Sequence, residues 1–103
     1  MSWQAKVGNK LRELRFVYCQ ISQHSEGLRN FVNKNYSSVK ENHPRFPFIV
    51  RECENAIPTV MARYDFGVEK RVYTENFTEE QVADAVKQLV DEADSINSHR
   101  PTN

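Results

Sequence analysis

Residues 46–67 read FPFIVRECENAIPTVMARYDFG, and this stretch decides the fold. It opens with an apolar run at 46–50, which is short and β-branched enough to predict a buried strand. A polar corner at 51–55 follows, and it carries Cys53. Beyond Pro58, the run 60–66 predicts a returning strand that ends at Gly67, because glycine commonly terminates such runs. We expect the rest of the chain to pack on this pair of strands.

The segments on either side supply further strands and two helices. Residues 11–18 alternate apolar and polar side chains and predict a first strand. Apolar residues at helical spacing over 26–41 predict a helix behind Ser25, a good N-cap. After Gly67, residues 70–73 predict a fourth strand. Thr78 and Gln81 form a capping box, which predicts the start of a second helix.

The resulting order, β-α-β-β-β-α, predicts an α/β domain with a four-stranded mixed sheet. A strand, a crossover helix and a strand form a right-handed parallel pair, whereas a short connection joins antiparallel strands. This is the layout of a thioredoxin-like domain with helices on both faces. We assign that domain to 11–97, with an N-terminal extension at 1–10 and a flexible C-terminal tail at 98–103.

Length and charge restrict the functions that the chain can have. Its 103 residues suffice for one domain with one core. The formal net charge is zero, but residues 1–51 hold nine Lys or Arg against three acids, and residues 52–103 hold five against eleven. Either the surface is polarised toward two neighbours, or the two halves pair with each other inside the fold; we favour the second. A nucleic-acid-binding domain is usually basic, so no nucleic-acid partner is expected.

Several cofactor and membrane functions are also disfavoured by the residues present. Gly8, Gly27 and Gly67 are the only glycines, so no phosphate-binding loop is encoded. The three histidines lie far apart along the chain, and two cysteines are too few for iron–sulfur ligation. No apolar run approaches the ~20 residues that span a bilayer. We therefore expect no metal, cofactor, small-molecule substrate or direct membrane insertion.

The two cysteines form the one candidate site of reactive side chains. Cys19 ends the first predicted strand and Cys53 ends the second, and residues at the same ends of parallel neighbours can have Cα atoms near the ~5.5–6 Å of a disulfide. Cys19 also opens a C-x-x-S sequence between a strand and a helix, where helix N-termini lower thiol pKa values. A static bridge or a pair of buried thiols is the simpler interpretation, because Ser22 cannot resolve a mixed disulfide.

Pro58 is the other informative position in the central stretch. Thioredoxin-like domains place a proline, normally in the cis conformation, before the strand that runs antiparallel to the first. X-Pro bonds are cis in only ~5–6% of cases in general. In this setting we predict a cis Ile57–Pro58 peptide that faces Cys19.

Seven short motifs along the chain together form a family pattern: Leu11 to Arg15, Cys19-Gln20-x-Ser22, Gly27-x-Arg29-x-Phe31, Arg51-Glu52-Cys53, Pro58, Ala62-Arg63-Tyr64-x-Phe66-Gly67 and Asn76-Phe77-Thr78. In these residues the chain resembles the small thioredoxin-like accessory subunit of mitochondrial NADH:ubiquinone oxidoreductase, respiratory complex I. The resemblance covers nearly the whole chain, and some mitochondrial ribosomal proteins share the domain. Trp3 and the polar tail depart from the pattern.

This resemblance implies a non-catalytic subunit that supports the assembly and stability of the matrix-side peripheral arm. Its partners would be other complex I subunits, with the large iron–sulfur subunit of that arm as its docking surface. The location implied is the mitochondrial inner membrane, bound peripherally on the matrix side. It also implies that Cys19 and Cys53 can form a disulfide. Arg63 and Tyr64 are our interface candidates, because Arg and Tyr are frequent at binding hot spots.

Two other function classes remain open at this point. The first is a thiol–disulfide oxidoreductase that uses Cys19 as its attacking thiol. The second is a mitochondrial ribosomal protein of the same domain family, although rRNA binding normally requires an excess of Lys and Arg. The zero net charge and short length favour the complex I branch.

Overall fold

A four-stranded mixed sheet forms the centre of the protein. The computed structural model describes residues 3–98. The strands are β1 (Glu13–Tyr18), β2 (Phe48–Glu52), β3 (Thr59–Arg63) and β4 (Glu69–Tyr73). They lie in the order β2-β1-β3-β4, with β1 parallel to β2 and antiparallel to β3, and β3 antiparallel to β4. The predicted mixed, four-stranded sheet is therefore confirmed.

Four α-helices accompany the sheet in the described part of the chain. They are α1 (Trp3–Lys10), α2 (Glu26–Asn42), α3 (Glu79–Asp91) and α4 (Ala93–Asn97). Short 3-10 helices at Gln23–Ser25 and Asp65–Gly67 lie before α2 and between β3 and β4. The crossover helix α2 connects the parallel strands β1 and β2, as predicted.

Within residues 3–98, the helices pack on one face of the sheet only. Alternate strand residues join the hydrophobic core with side chains from α1, α2, α3 and α4: Leu14, Phe16, Tyr18, Phe48, Val50, Val60, Ala62 and Val72. The intervening residues form the opposite surface, called here the open face: Glu13, Arg15, Val17, Ile49, Arg51, Thr59, Met61, Arg63, Glu69, Arg71 and Tyr73. No described helix covers it.

Our prediction of helices on both faces is therefore wrong for the described residues. The single crossover, α2, places its helix on one side, because parallel β-α-β units are right-handed. No helix lies between β2 and β3, so the chain never crosses to the other side. The last helices, α3 and α4, then bury their apolar stripe against the core that α2 already covers.

Helix α1 was not predicted, and it packs on the core rather than extending away from it. Val7 is fully buried, and the Trp3 and Phe31 ring centroids lie 5.5 Å apart. Gly8 allows a close approach to α2, because a Cβ there would lie 2.5 Å from His43 Nδ1. At the other end, Ser98 is described, whereas the rest of the predicted tail, including His99, lies outside the described residues.

The start of α3 has the geometry that its sequence predicts. The backbone N–H of Gln81 donates to Thr78 Oγ1 at 3.1 Å, and the backbone N–H of Thr78 donates to Gln81 Oε1 at 2.9 Å. This reciprocal pair is a capping box, which satisfies amides that have no partner in the first turn. The prediction of the helix start is confirmed.

Ion pairs link the basic first half of the chain to its acidic second half. Lys10 pairs with Asp94, Arg12 with Asp65 and Lys34 with Glu79, at 2.6, 2.6 and 2.9 Å. These pairs join helices and loops that are distant in sequence. They support the interpretation that much of the charge asymmetry is compensated within the fold.

The N-termini of α2 and α3 approach each other at Gly27. A Cβ on Gly27 would lie 1.9 Å from the backbone oxygen of Phe77, so no larger side chain fits without movement of the backbone. Next to this contact, the N–H of Asn76 donates to the backbone oxygen of His24 at 3.0 Å. The two helix starts are thus fixed against each other.

We expect Gly27→Ala to lower the free energy of unfolding by about 1–3 kcal/mol, the usual cost of overpacking a well-packed site. Thermal unfolding followed by circular dichroism measures the effect. The matched control is Asn30→Ala, an exposed position on the same helix, which should leave the melting temperature unchanged or slightly higher. Equal melting temperatures for Gly27→Ala and wild type would contradict the close contact between Gly27 and Phe77.

Candidate functional site

The candidate site lies at one end of the parallel strands, where the two cysteines follow β1 and β2. Tyr18 and Glu52 are paired in register, and the N–H of Cys53 donates to the backbone oxygen of Tyr18 at 3.0 Å. Cys19 and Cys53 are the next residues on each strand. We call the residues that line the cleft between them the thiol corner: Cys19, Gln20, Ile21, Glu52, Cys53 and Glu54.

The two thiols of this corner differ in exposure, and both are free. Cys19 is buried, with 3% of its surface accessible, whereas Cys53 is exposed. Their adjacent positions after a pair in register agree with the spacing argument from the sequence. The disulfide itself stays a prediction.

Backbone groups polarise the Cys19 thiol. Hydrogen bonds from the backbone of Ile21 and Asn55 lower the pKa of Cys19, with smaller contributions from the Ser22 backbone and the Arg29 guanidinium; desolvation by burial opposes them. Because hydrogen bonds to sulfur favour the thiolate, this cysteine is more acidic than an ordinary thiol. The Asn55 contribution comes from the turn after β2, so both loops act on one sulfur.

The loop after Cys19 is held by side chains that sequence analysis did not single out as functional. Arg29 Nη1 donates to the backbone oxygens of Cys19 and Ser22 at 3.0 and 2.5 Å. Ser25 Oγ accepts from the N–H of Cys19 at 3.3 Å and makes no side-chain cap on α2, contrary to its expected role. Ser22 Oγ instead caps the 3-10 helix by accepting from the N–H of His24. The sequence did contain a signal for Arg29, because the Gly27-x-Arg29 spacing is part of the family pattern.

The Ile57–Pro58 peptide is trans, as are all peptide bonds of the described segment, so the prediction of a cis proline is wrong. The chain reverses before the proline instead. Asn55 has a left-handed backbone (φ 61°), and the N–H of Ala56 donates to the backbone oxygen of Cys53 at 3.1 Å. Pro58 then enters β3 in the ordinary conformation. A cis bond is not needed where a tight turn has already redirected the chain.

Of the two interface candidates, Tyr64 is internal. Its side chain is fully buried, and its hydroxyl donates to the backbone oxygen of Leu89 at 2.7 Å, which anchors β3 to α3. A buried side chain cannot contact a partner, so the prediction is wrong for Tyr64. Arg63 lies on the open face, where Nη2 is 2.9 Å from Glu69 Oε2, and its interface role stays a proposal.

Neither a metal-binding cluster nor a membrane-spanning helix is found among the described residues. Within 3–98, no three His, Cys, Asp or Glu side chains are grouped so that they could hold a metal ion. No helix in that range has both the length and the apolar character to cross a membrane.

Comparison with known proteins identifies the family. Residues 28–79 match the family described as "Mitochondrial ribosomal protein L51 / S25 / CI-B8 domain". Over 90 residues the chain is 40% identical to "NADH dehydrogenase [ubiquinone] 1 alpha subcomplex subunit 2" of Arabidopsis thaliana, covering 87% of this chain and 93% of that protein. The chain belongs to the family of these alpha subcomplex subunits 2.

Two further relatives place the family in distant organisms. The subunit 2 of Mus musculus is 40% identical over 84% of this chain and 85% of its own length. The "NADH-ubiquinone oxidoreductase 10.5 kDa subunit" of Neurospora crassa is 34% identical over 87% of this chain and 96% of its own length. The thiol corner, the open face and the core described above therefore belong to a member of this family.

The lowered pKa of Cys19 gives a testable pH dependence. In a Cys53→Ser protein, thiolate absorbance should rise at lower pH in the folded state than after unfolding in guanidinium, where a thiol titrates near ~8.5. Arg29→Gln should move the folded midpoint upward. The double variant Cys19→Ser/Cys53→Ser has no thiol, so its absorbance change measures the tyrosine contribution that must be subtracted.

The lowered pKa of Cys19 also determines how the free energy of unfolding changes with pH. A folded pKa below the unfolded one stabilises the protein above the unfolded pKa, and that contribution is lost as pH falls through the folded pKa. Coincident midpoints in the folded and unfolded Cys53→Ser protein would contradict the geometry of the thiol corner.

Burial raises the pKa of Tyr64, and Glu92 raises it further. A tyrosine with a raised pKa stabilises the fold below the unfolded value near ~10, and this contribution disappears as pH rises above it. Tyr64→Phe should lower the free energy of unfolding at neutral pH by about 0.5–1.5 kcal/mol, the net value of one hydrogen bond. It should also reduce the loss of stability in alkali.

Urea unfolding at neutral and alkaline pH measures both effects of Tyr64→Phe. The control is Tyr73→Phe, since Tyr73 is 62% exposed. If Tyr64→Phe and Tyr73→Phe had the same stability profile, the internal anchor would be refuted.

Proposed function

We propose that this protein is a non-catalytic accessory subunit of mitochondrial respiratory complex I. In this proposal it binds peripherally on the matrix side of the inner membrane and supports the assembly and stability of the peripheral arm. The observation that carries the proposal is the extent of the similarity, since relatives named as subunits of NADH dehydrogenase or of NADH-ubiquinone oxidoreductase align over 84–87% of the chain. The partners would be other complex I subunits, with the large iron–sulfur subunit as the docking surface.

Features of the thiol corner favour a structural role over a catalytic one. The Cys19 thiol is buried, so an attacking sulfur would have little access to a protein disulfide. Ser22, at the position of a resolving cysteine in C-x-x-C proteins, uses its hydroxyl to cap a helix. We infer that Cys19 and Cys53 can pair as a disulfide that secures the ends of β1 and β2.

The proposed domain type is thioredoxin-like. The parallel β1-α2-β2 unit, the antiparallel β3 and β4 and the final helix α3 support it. The trans Pro58 and the uncovered sheet face are differences from the layout that we expected. In this proposal they are properties of a domain that binds neighbours rather than disulfide substrates.

A thiol–disulfide oxidoreductase is the second candidate, and the lowered pKa of Cys19 favours it. A more acidic thiol is a better nucleophile at neutral pH. A purified-protein assay of disulfide reduction separates this activity from a scaffold role. The ribosomal alternative has one observation in its favour, the family description that names ribosomal proteins alongside the complex I branch.

Gene replacement tests the accessory-subunit proposal. Cells that lack this chain should assemble less complex I, and re-expression of the wild-type chain should restore it and co-migrate with it on a native gel. Cys19→Ser and Cys53→Ser should leave NADH:ubiquinone turnover per assembled complex unchanged. Loss of a disulfide, where it forms, costs about 2–5 kcal/mol in small domains and would lower the amount assembled.

Two outcomes would refute the proposal. The first is normal assembly and turnover in cells that lack the chain, with no co-migration of the re-expressed protein. The second is a Cys19→Ser protein that assembles normally but abolishes turnover, which would require a redox role for this thiol.

A further inference from the structure

The open face of the sheet has an apolar centre over which no described helix packs. Met61 lies in this centre and is only 5% exposed, although it is not part of the hydrophobic cluster between the sheet and the helices. Its cross-strand neighbours are Arg15 on β1 and Arg71 on β4. Val17 and Ile49 on the same face are half-buried. Long arginine side chains can shield apolar surface with their methylene groups. Shielding by Arg15 and Arg71 accounts for the low exposure of Met61 on a face without helices.

The charges of the open face are unequal after its internal pairing. The carboxylate of Glu13 lies 3.1 Å from Arg15 Nη2 and 3.9 Å from Arg63 Nη1, and Glu69 pairs with Arg63 at 2.9 Å. The acidic groups of the face are thus already paired with arginines of the same face. Its charged residues include four arginines and two glutamates. An excess of positive charge therefore remains.

That excess is located on Arg51 and Arg71. Both are exposed, and neither takes part in the ion pairs found among residues 3–98. Arg51 is on the edge strand β2 and Arg71 is on the opposite edge strand β4, so they flank the apolar centre. Tyr73, which is 62% exposed, lies beside Arg71 on the same face. Arginine and tyrosine around an apolar centre are the residues that dominate binding energy in protein interfaces.

We propose that the open face is the surface by which this chain docks on its complex, and that it fits a protein surface with carboxylates around an apolar patch. This inference rests on the proposed accessory function and specifies which side of the domain contacts the complex. Free guanidinium groups form paired hydrogen bonds with carboxylates, so Arg51 and Arg71 would bind acidic side chains of the partner.

Charge complementarity favours this occupant over two others. A second copy of the chain would bring two arginine-excess faces together, which like-charge repulsion opposes. RNA would meet the carboxylates of Glu13 and Glu69 on the face itself, and the chain has no net positive charge to attract phosphate. The helical side of the domain is a poorer candidate, because its lysines Lys34, Lys70 and Lys87 are paired with acids.

The test is a charge reversal on the open face with an equal reversal on the helical side. The variant is Arg51→Glu/Arg71→Glu, and the matched control is Lys34→Glu/Lys87→Glu, which changes the net charge by the same amount at exposed helix positions. Each full-length chain is expressed in cells that lack the endogenous one. Circular dichroism and thermal unfolding of the purified chains verify that each variant folds.

We expect Arg51→Glu/Arg71→Glu to incorporate into the complex about ten-fold less than wild type or worse, because two attractive contacts become repulsive. The control should incorporate normally. In a second arm, Arg71→Lys should gain a carbodiimide cross-link to a carboxylate of another subunit in the assembled complex. That arm remains informative if the charge reversal unfolds the protein.

Normal incorporation of the reversal variant, or Arg71→Lys complexes without a cross-link to another chain, would overturn the docking surface. So would a wild-type dimer in light scattering that Arg51→Glu/Arg71→Glu converts to a monomer, or RNA oligonucleotide binding that the same variant abolishes. Failure of the wild-type chain to co-migrate with complex I would instead refute the accessory function, so the two failures are distinguishable.

Discussion

The position of β1 between β2 and β3 is the constraint on which the rest of the molecule depends. Its parallel pairing with β2 requires the crossover helix α2, and that helix determines which side of the sheet becomes the core. Its antiparallel pairing with β3 brings the chain back through a short turn, without a second crossover. One strand thereby fixes both the thiol corner at its end and the open face on its uncovered side.

The thiol corner shows how backbone geometry can tune a side chain without any charged partner in direct contact. The hydrogen bonds that lower the pKa of Cys19 come mainly from the backbone of two loops. Arg29 acts less through its charge than through its position, since it binds the backbone oxygens on either side of the Cys19 loop. The same loop is further fixed by Ser25, whose hydroxyl serves Cys19 rather than the helix that it precedes.

Features with a local signal could be predicted from the sequence. Thr78 and Gln81 lie three residues apart, and this spacing alone identifies the start of α3. The alternation in β1 and the helical spacing in α2 likewise predict the core side chains Phe16 and Phe31, both of which are buried. These signals succeed because the groups that interact are close in sequence or repeat with a fixed period.

Features that depend on tertiary context could not be predicted in this way. Helix α1 is polar in composition, and its contacts with α2, α4 and the core hold it in place. Tyr64 and Arg63 are adjacent and equally plausible as interface residues by type, yet strand alternation sends one into the core and the other to the open face. The cis assignment of Pro58 rested on the expected fold, whereas the turn at Asn55 makes the trans form sufficient.

The contact between Gly27 and Phe77 has a consequence for how the protein opens. It joins the start of α2, which carries Ser25 and Arg29, to the start of α3. Local unfolding proceeds in cooperative units, and two helix ends in backbone contact belong to one such unit. Amide hydrogens in the first turns of α2 and α3 should therefore exchange with deuterium through a shared opening event. In that opening the backbone of Cys19 would lose its hydrogen bonds with Ser25 and Arg29, so a glycine eight residues away contributes to holding the segment that carries this thiol.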